Sequence, residues 1–201
     1  MRIFLLVISY IFHPLFTPIG GTVAYFILTP KFTPPELKYG NLLPIFILTV
    51  IIPVIAYFIL RNLGVVSTVF VPNLKERKYP LYINLLILFL VVYKVIGSYF
   101  IVELHFFFIG LIIATMTTLL LLFFKLKASI HLMGMGSIYM FLVCLSIHFE
   151  INITLGLSLL TIATGLVATS RIYLKAHTKP ELVIGLFIGL LSQLITIQYW
   201  L

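Results

Sequence analysis

Two short polar motifs interrupt an otherwise apolar chain, and their residues are of types that handle a charged group. The first reads Lys127-Ala128-Ser129-Ile130-His131. The second reads Ser170-Arg171-Ile172-Tyr173-Leu174-Lys175-Ala176-His177-Thr178-Lys179-Pro180-Glu181. One apolar run leaves the first motif and another returns to the second, each long enough to cross ~30 Å of hydrocarbon at ~1.5 Å per residue. Two crossings return the chain to the side it left. Ser129, His131, Ser170, Arg171, His177 and Glu181 therefore belong to one membrane face. Such a set suits chemistry on a phosphate ester, where charge grows on the transferring oxygens and is stabilised by fixed cations and backbone N–H donors. Arg171 supplies one cation, and Lys75 and Arg77, two crossings earlier, supply two more. A helix starting at Ser129 supplies free N–H groups at its positive end.

The elements that position these residues follow from composition. Of 201 residues, 62% are hydrophobic and 9% are charged, with a mean hydropathy of +1.23. A soluble domain of this length would need far more charge on its surface, so lipid is the solvent that fits. The expectation is an all-α polytopic transmembrane helix bundle of six or seven spans, one domain over 1–201, with the bilayer as its first partner. The net charge of +8 sits in short loops between apolar runs. Membrane orientation and phosphate binding explain it better than nucleic acid does. Cys144 is the single cysteine, which excludes an intrachain disulfide and a cysteine zinc site. The start, Met1-Arg2 and an apolar run, imitates a signal peptide but lacks a small-residue cleavage site, and is read as mature structure.

The first span, 3–29, is broken by His13-Pro14 and by Thr17-Pro18-Ile19-Gly20-Gly21. It is either one kinked span or a re-entrant pair of half-helices, and the kinked span is preferred. An interrupted helix in lipid needs protein or water around the break, so the break faces the bundle. Further spans are expected at 41–60, 81–102, 105–124, 129–148, 152–171 and 182–201, with Pro80 in the first turn of the third. The turns at Glu103-Leu104-His105 and Phe149-Glu150-Ile151 are then very short, making antiparallel hairpins. In the sixth span Thr154, Ser158, Thr161, Gly165 and Ala168 recur at helical steps, a stripe expected to pack closely against a neighbour and to carry Arg171 inward. Snorkelling of Arg171 to headgroups is the competing reading.

Two features lie apart from the motifs. Glu103-x-His105 and His148-x-Glu150 fall on the opposite face, where two His and two Glu could hold a divalent metal. Tight turns recruit polar residues anyway, and caps are the commoner explanation, so no metal is assigned. Lys94, near the middle of the third span with Asn84 and Ser98 on its face, is an intramembrane cation and a functional hypothesis by default.

The motifs resemble those of the type 2 phosphatidic acid phosphatase family, membrane phosphatases related to vanadium haloperoxidases. The third family motif matches best: Ser170-Arg171, five residues, His177, three residues, and Glu181 where the family has Asp, followed by Gly185 and Gly189. The second survives as Ser129-Ile130-His131, with Ala128 for Pro and Ile130 for Gly. The first is degenerate, with Lys75, Arg77 and Lys78 ahead of Pro80. The resemblance covers roughly residues 73–190. It implies a metal- and cofactor-independent hydrolase acting on a lipid-linked phosphate or diphosphate. In that mechanism His177 is the nucleophile and forms a phosphohistidine, Glu181 holds its tautomer, and His131 protonates the leaving alcohol and then activates water. Arg171, Ser129, Ser170, Lys75 and Arg77 bind phosphate.

The alternative is a catalytically inactive relative acting as a lipid-binding or transport protein. The resemblance also implies a bacterial inner membrane with the site outside. The loop cations conflict with this: Arg2, Arg61, Lys75, Arg77, Lys78, Lys125, Lys127, Arg171, Lys175 and Lys179 share the motif face, and only Lys31 and Lys38 lie opposite. The positive-inside rule puts that face in the cytoplasm. Oligomeric state and the particular lipid are not encoded in any motif found.

Overall fold

The structure is a computed structural model describing residues 1–67, 74–97 and 100–201, the side chains of Leu74 and Lys75 excepted. Lys75 and Ser98 thus lie outside the described side chains. The helices are α1 (Arg2–Ile11), α2 (Thr17–Leu28), α3 (Pro35–Phe46), α4 (Ile52–Asn62), α5 (Leu74–Leu90), α6 (Val102–Phe123), α7 (Ile130–His148), α8 (Thr154–Tyr173) and α9 (Lys179–Thr196). Grouped end to end, seven helical stretches are long and apolar enough to cross a membrane, and the protein is an all-α multi-pass bundle.

The first stretch is broken as its punctuation suggests. α1 ends at Ile11, a tight turn spans Pro14–Phe16, and α2 resumes at Thr17. Pro14 has no N–H to continue the ladder. Gly20 and Gly21, by contrast, lie inside α2. In the second stretch, Pro44 and Pro53 bracket a widened π-turn at Ile47–Ile51 that joins α3 to α4. A second π-turn, Val91–Val95, ends the third stretch.

Three expectations change. α5 starts at Leu74 rather than at residue 81, so Pro80 stands inside a helix rather than in its first turn. The third span stops at Val95, where Ile96 turns extended (φ −90°, ψ 105°), and α6 begins at Val102. Glu103 and His105 therefore sit in the first turn of α6 and not in a hairpin loop. Lys94 is exposed at a span end, its ammonium 4.6 Å from the Tyr93 ring centre, rather than buried in mid-membrane. Apolar residues run on through this turn, and hydropathy gave no sign of it. The third change concerns α8. Thr154, Ser158, Thr161 and Gly165 are exposed, and Leu157, Leu160, Thr164, Val167 and Ser170 form the less exposed side of the helix. Small residues permit close packing without requiring it. Arg171 is nonetheless buried, because it follows Thr164 and Val167 round the helix.

Close packing occurs instead between α7 and α9, the most extensive helix pair. A Cβ on Gly185 would overlap the Ser129 carbonyl oxygen, and one on Gly189 would overlap that of Met133. Backbones that close leave no room for a side chain. Helix ends complete the frame. Lys125, Glu150 and Lys175 take positive φ of 58°, 52° and 53° just past α6, α7 and α8. In each case the next residue's N–H reaches back to the last turn, the Schellman arrangement. After α8 this returns the chain sharply, so that Ala176 N–H and His177 N–H both donate to the Arg171 carbonyl, at 3.0 and 3.3 Å.

The packing makes opposite forecasts for two glycines. Gly189→Ala must push α7 and α9 apart and should cost about 1–3 kcal/mol, the range for overpacking. Gly165→Ala meets nothing within 4 Å and should be neutral or stabilising by up to about 1 kcal/mol. Thermal unfolding in detergent or nanodiscs compares them, and equal effects would contradict the packing described.

Candidate active site

The motif face carries a cavity of about 430 Å³ whose wall includes His13, Arg77, His131, Arg171 and His177. These residues come from five segments: the break after α1, the start of α5, the start of α7, the end of α8 and the α8–α9 connection. No carboxylate lines it among the described residues. The rest of the wall is mainly apolar and comes largely from α4, α5 and α6. It reaches Leu88, three turns beyond Arg77 and so about 16 Å deeper at ~1.5 Å per residue. One end is cationic and the other resembles bilayer.

Each polar side chain is held by something specific. Arg171, 2% exposed, donates from Nη1 to Ser9 Oγ at 3.1 Å. Ser9 Oγ lies 2.9 Å from Ser170 Oγ, and Ser170 Oγ donates to the Leu5 carbonyl at 2.6 Å. α1 thus clamps the Ser-Arg pair at the end of α8. Arg77 donates to the Ala128 carbonyl at 3.4 Å, which ties α5 to the start of α7. His131 Nε2 lies 3.2 Å from the Ser9 carbonyl oxygen, so the proton on that nitrogen points at the carbonyl and Nδ1 is left for the cavity.

His177 is organised in the same way. Its Nδ1–H donates to Glu181 Oε2 at 2.6 Å, leaving Nε2 for chemistry. Burial pushes the His177 pKa from 6.5 down to about 4; the Glu181 hydrogen bond opposes this, and the charges of Arg77, Lys127 and Arg171 reinforce it. At neutral pH the ring is an uncharged base with a free lone pair on Nε2. Glu181 itself lines a separate shallow pocket with Lys127 and Lys175. Lys127 Nζ is 3.8 Å from Glu181 and donates to the Ala176 carbonyl at 2.8 Å. Burial, listed first among its influences, lowers the Lys127 pKa, helped by Arg77 and Arg171 and opposed by Glu181.

The structure therefore gathers Arg77, His131, Arg171 and His177 around one cavity, with Glu181 behind His177. Ser129 and Ser170 are fully buried and do not line it. Ser129 accepts the Leu132 N–H at 3.5 Å as the helix cap, and its own N–H donates to the Glu181 carbonyl at 2.9 Å. Its role is to join the two motifs. Ile130 occupies the cavity wall. Sequence reasoning missed Ser9, His13 and Lys127 as site residues. The break at His13-Pro14 did signal its own inward position, and Lys127 adjoins the second motif, but a serine in an apolar helix carries no signature.

On the opposite face Glu103, fully buried, is paired with Lys31, accepts from Tyr25 Oη at 3.0 Å and lies 3.2 Å from His148 Nε2. Glu150 stands exposed in its αL turn. Among the described residues no three of His, Cys, Asp and Glu converge as a metal site would need. That constellation ties loops together. No protein-family model matches the chain, and neither a curated protein nor a solved structure matches it.

The depressed His177 pKa makes a signed forecast. Between pH ~4 and ~6.5 the unfolded chain binds a proton at this residue and the folded one does not, so stability contributed here rises with pH across that window and is lost as pH falls. His177→Gln should flatten this part of the wild-type stability curve. An unchanged slope would contradict the buried, neutral imidazole.

Proposed function

We propose that the protein is an integral membrane phosphatase hydrolysing a lipid-linked phosphate or diphosphate through a phosphohistidine intermediate. The observation carrying this reading is the cavity: guanidinium and imidazole groups at a carboxylate-free end, and an apolar wall running toward the membrane interior. A phosphate on a lipid satisfies both ends at once. A water-soluble phosphate ester would leave the deep apolar wall unused. The resemblance of both histidine motifs to the type 2 phosphatidic acid phosphatase family supports the same reading.

The chemistry follows from the geometry. Arg171 and Arg77 bind the non-bridging oxygens and stabilise the charge that grows on them. His177 Nε2 attacks phosphorus, forming the N–P bond as the P–O bond to the lipid breaks. Glu181 accepts from Nδ1 and stabilises the positive ring that results. His131, held by the Ser9 carbonyl, gives a proton to the departing lipid oxygen. It then takes one from the water that attacks phosphorus, which breaks the N–P bond, restores His177 and frees inorganic phosphate. On this reading the protein works in a bacterial inner membrane. Its ten cations on the cavity face favour the cytoplasmic surface for that end.

Phosphate release from a panel of polyprenyl and glycerolipid phosphates tests the proposal. His177→Ala should abolish turnover. His131→Ala should slow it by ~10²–10⁴-fold, the usual worth of a general acid, and Glu181→Gln should cost less than either. Chelators should leave the rate unchanged. Equal rates with and without His177 would refute the assignment, and no release from any lipid phosphate would point to a binding protein that keeps the fold without the catalysis.

A further inference from the structure

The break in the first span puts a third histidine on the cavity wall, and nothing in the mechanism above uses it. His13 precedes Pro14, and its N–H turns back to the Tyr10 carbonyl at 3.3 Å. In an unbroken helix that N–H would donate to the Ser9 carbonyl. The break therefore frees the very oxygen that receives His131 Nε2. It also places the His13 ring 5.3 Å from the His131 ring, edge to face at 80°.

The protonation of His13 follows from its own cap. Nδ1 accepts the Leu15 N–H at 3.3 Å, at the head of the Pro14–Phe16 turn. A nitrogen that accepts carries no proton, so the neutral ring bears its hydrogen on Nε2. Nε2 has no partner among the described residues, and the ring lines the cavity. Capping alone would be served by asparagine, serine or aspartate, the usual cap residues, none of which reaches as far as an imidazole Nε2.

We propose that His13 is a substrate-contacting residue that donates from Nε2 to the phosphorylated headgroup on its leaving-group side, beside His131. For a monoester the acceptor is the bridging oxygen, and for a diphosphate it is an oxygen of the phosphoryl group that stays on the lipid. The inference rests on the phosphate reading of this cavity. Being an uncharged donor, His13 adds affinity and orientation without adding a further positive charge beside Arg171.

Two substitutions at this residue separate the roles with opposite signs. His13→Asn keeps an acceptor for the Leu15 N–H and loses the donor that reaches the cavity. His13→Gln sacrifices the preferred cap and returns an N–H close to the position of Nε2. Binding of a non-hydrolysable lipid phosphonate to the full-length protein in nanodiscs is the readout, with melting temperature measured alongside. The proposal expects His13→Asn to weaken binding roughly ten- to a hundredfold, the worth of one hydrogen bond to a charged group, and His13→Gln to recover most of it. A purely capping His13 would give the reverse order, with His13→Asn indistinguishable from wild type, and that result overturns the proposal. Failure of the wild-type protein to bind any phosphonate would overturn the phosphate reading itself. Loss of binding in Arg171→Ala together with unchanged binding in His13→Asn would remove His13 alone.

Discussion

The contact on which this protein depends is the approach of α7 to α9, backbone against backbone. Lipid offers little hydrophobic drive for helices to associate, so close van der Waals contact and interhelical hydrogen bonds must supply it. Gly185 and Gly189 present bare backbone to the carbonyls of Ser129 and Met133. The same contact lets the Ser129 N–H reach the Glu181 carbonyl at 2.9 Å. Two residues on from Ser129 is His131, and the Glu181 side chain holds His177. One packing decision therefore sets the spacing between the two histidine motifs, although some fifty residues separate them in sequence.

The second requirement is to keep cations in a mostly apolar setting. Arg77 and Arg171 are 7% and 2% exposed, and desolvating a guanidinium is costly unless acceptors surround it. The acceptors seen are a carbonyl and a hydroxyl, Ala128 O and Ser9 Oγ. Neutral acceptors orient a guanidinium without cancelling its charge, which stays available to an anion. The two motif histidines follow one pattern: an acceptor takes the proton of one nitrogen, Ser9 O for His131 and Glu181 for His177. The difference in acceptor fits the difference in task. A carboxylate stabilises a ring that becomes positive on phosphorylation, whereas a carbonyl only orients one that must give its proton away.

Much of the frame was legible because bilayer physics is one-dimensional. Apolar length fixes spans, and counting crossings fixes which loops share a face. That was enough to bring Arg77, His131, Arg171 and His177 together. It failed at Ile96–Val102, because apolar side chains continue through the turn and hydropathy does not register a backbone that changes direction. It failed for the α8 stripe, because small residues tolerate lipid as readily as a neighbouring helix. Ser9 was invisible for a different reason. Its hydroxyl and carbonyl matter only because a proline five residues later breaks the helix and α8 lies alongside, a relation that no local pattern encodes. Lys127, counted as a topological charge, turned out to bridge the two motifs.

The central claim is that His177 Nε2 becomes covalently bonded to phosphorus. The direct measurement is rapid acid-free quenching of wild-type protein turning over a radiolabelled lipid phosphate, followed by peptide mapping of the bound label. The account predicts a stoichiometric, acid-labile and base-stable phosphate on the peptide containing His177, absent in His177→Ala. Turnover with no labelled protein at any quench time, or with the label on another residue, would contradict it.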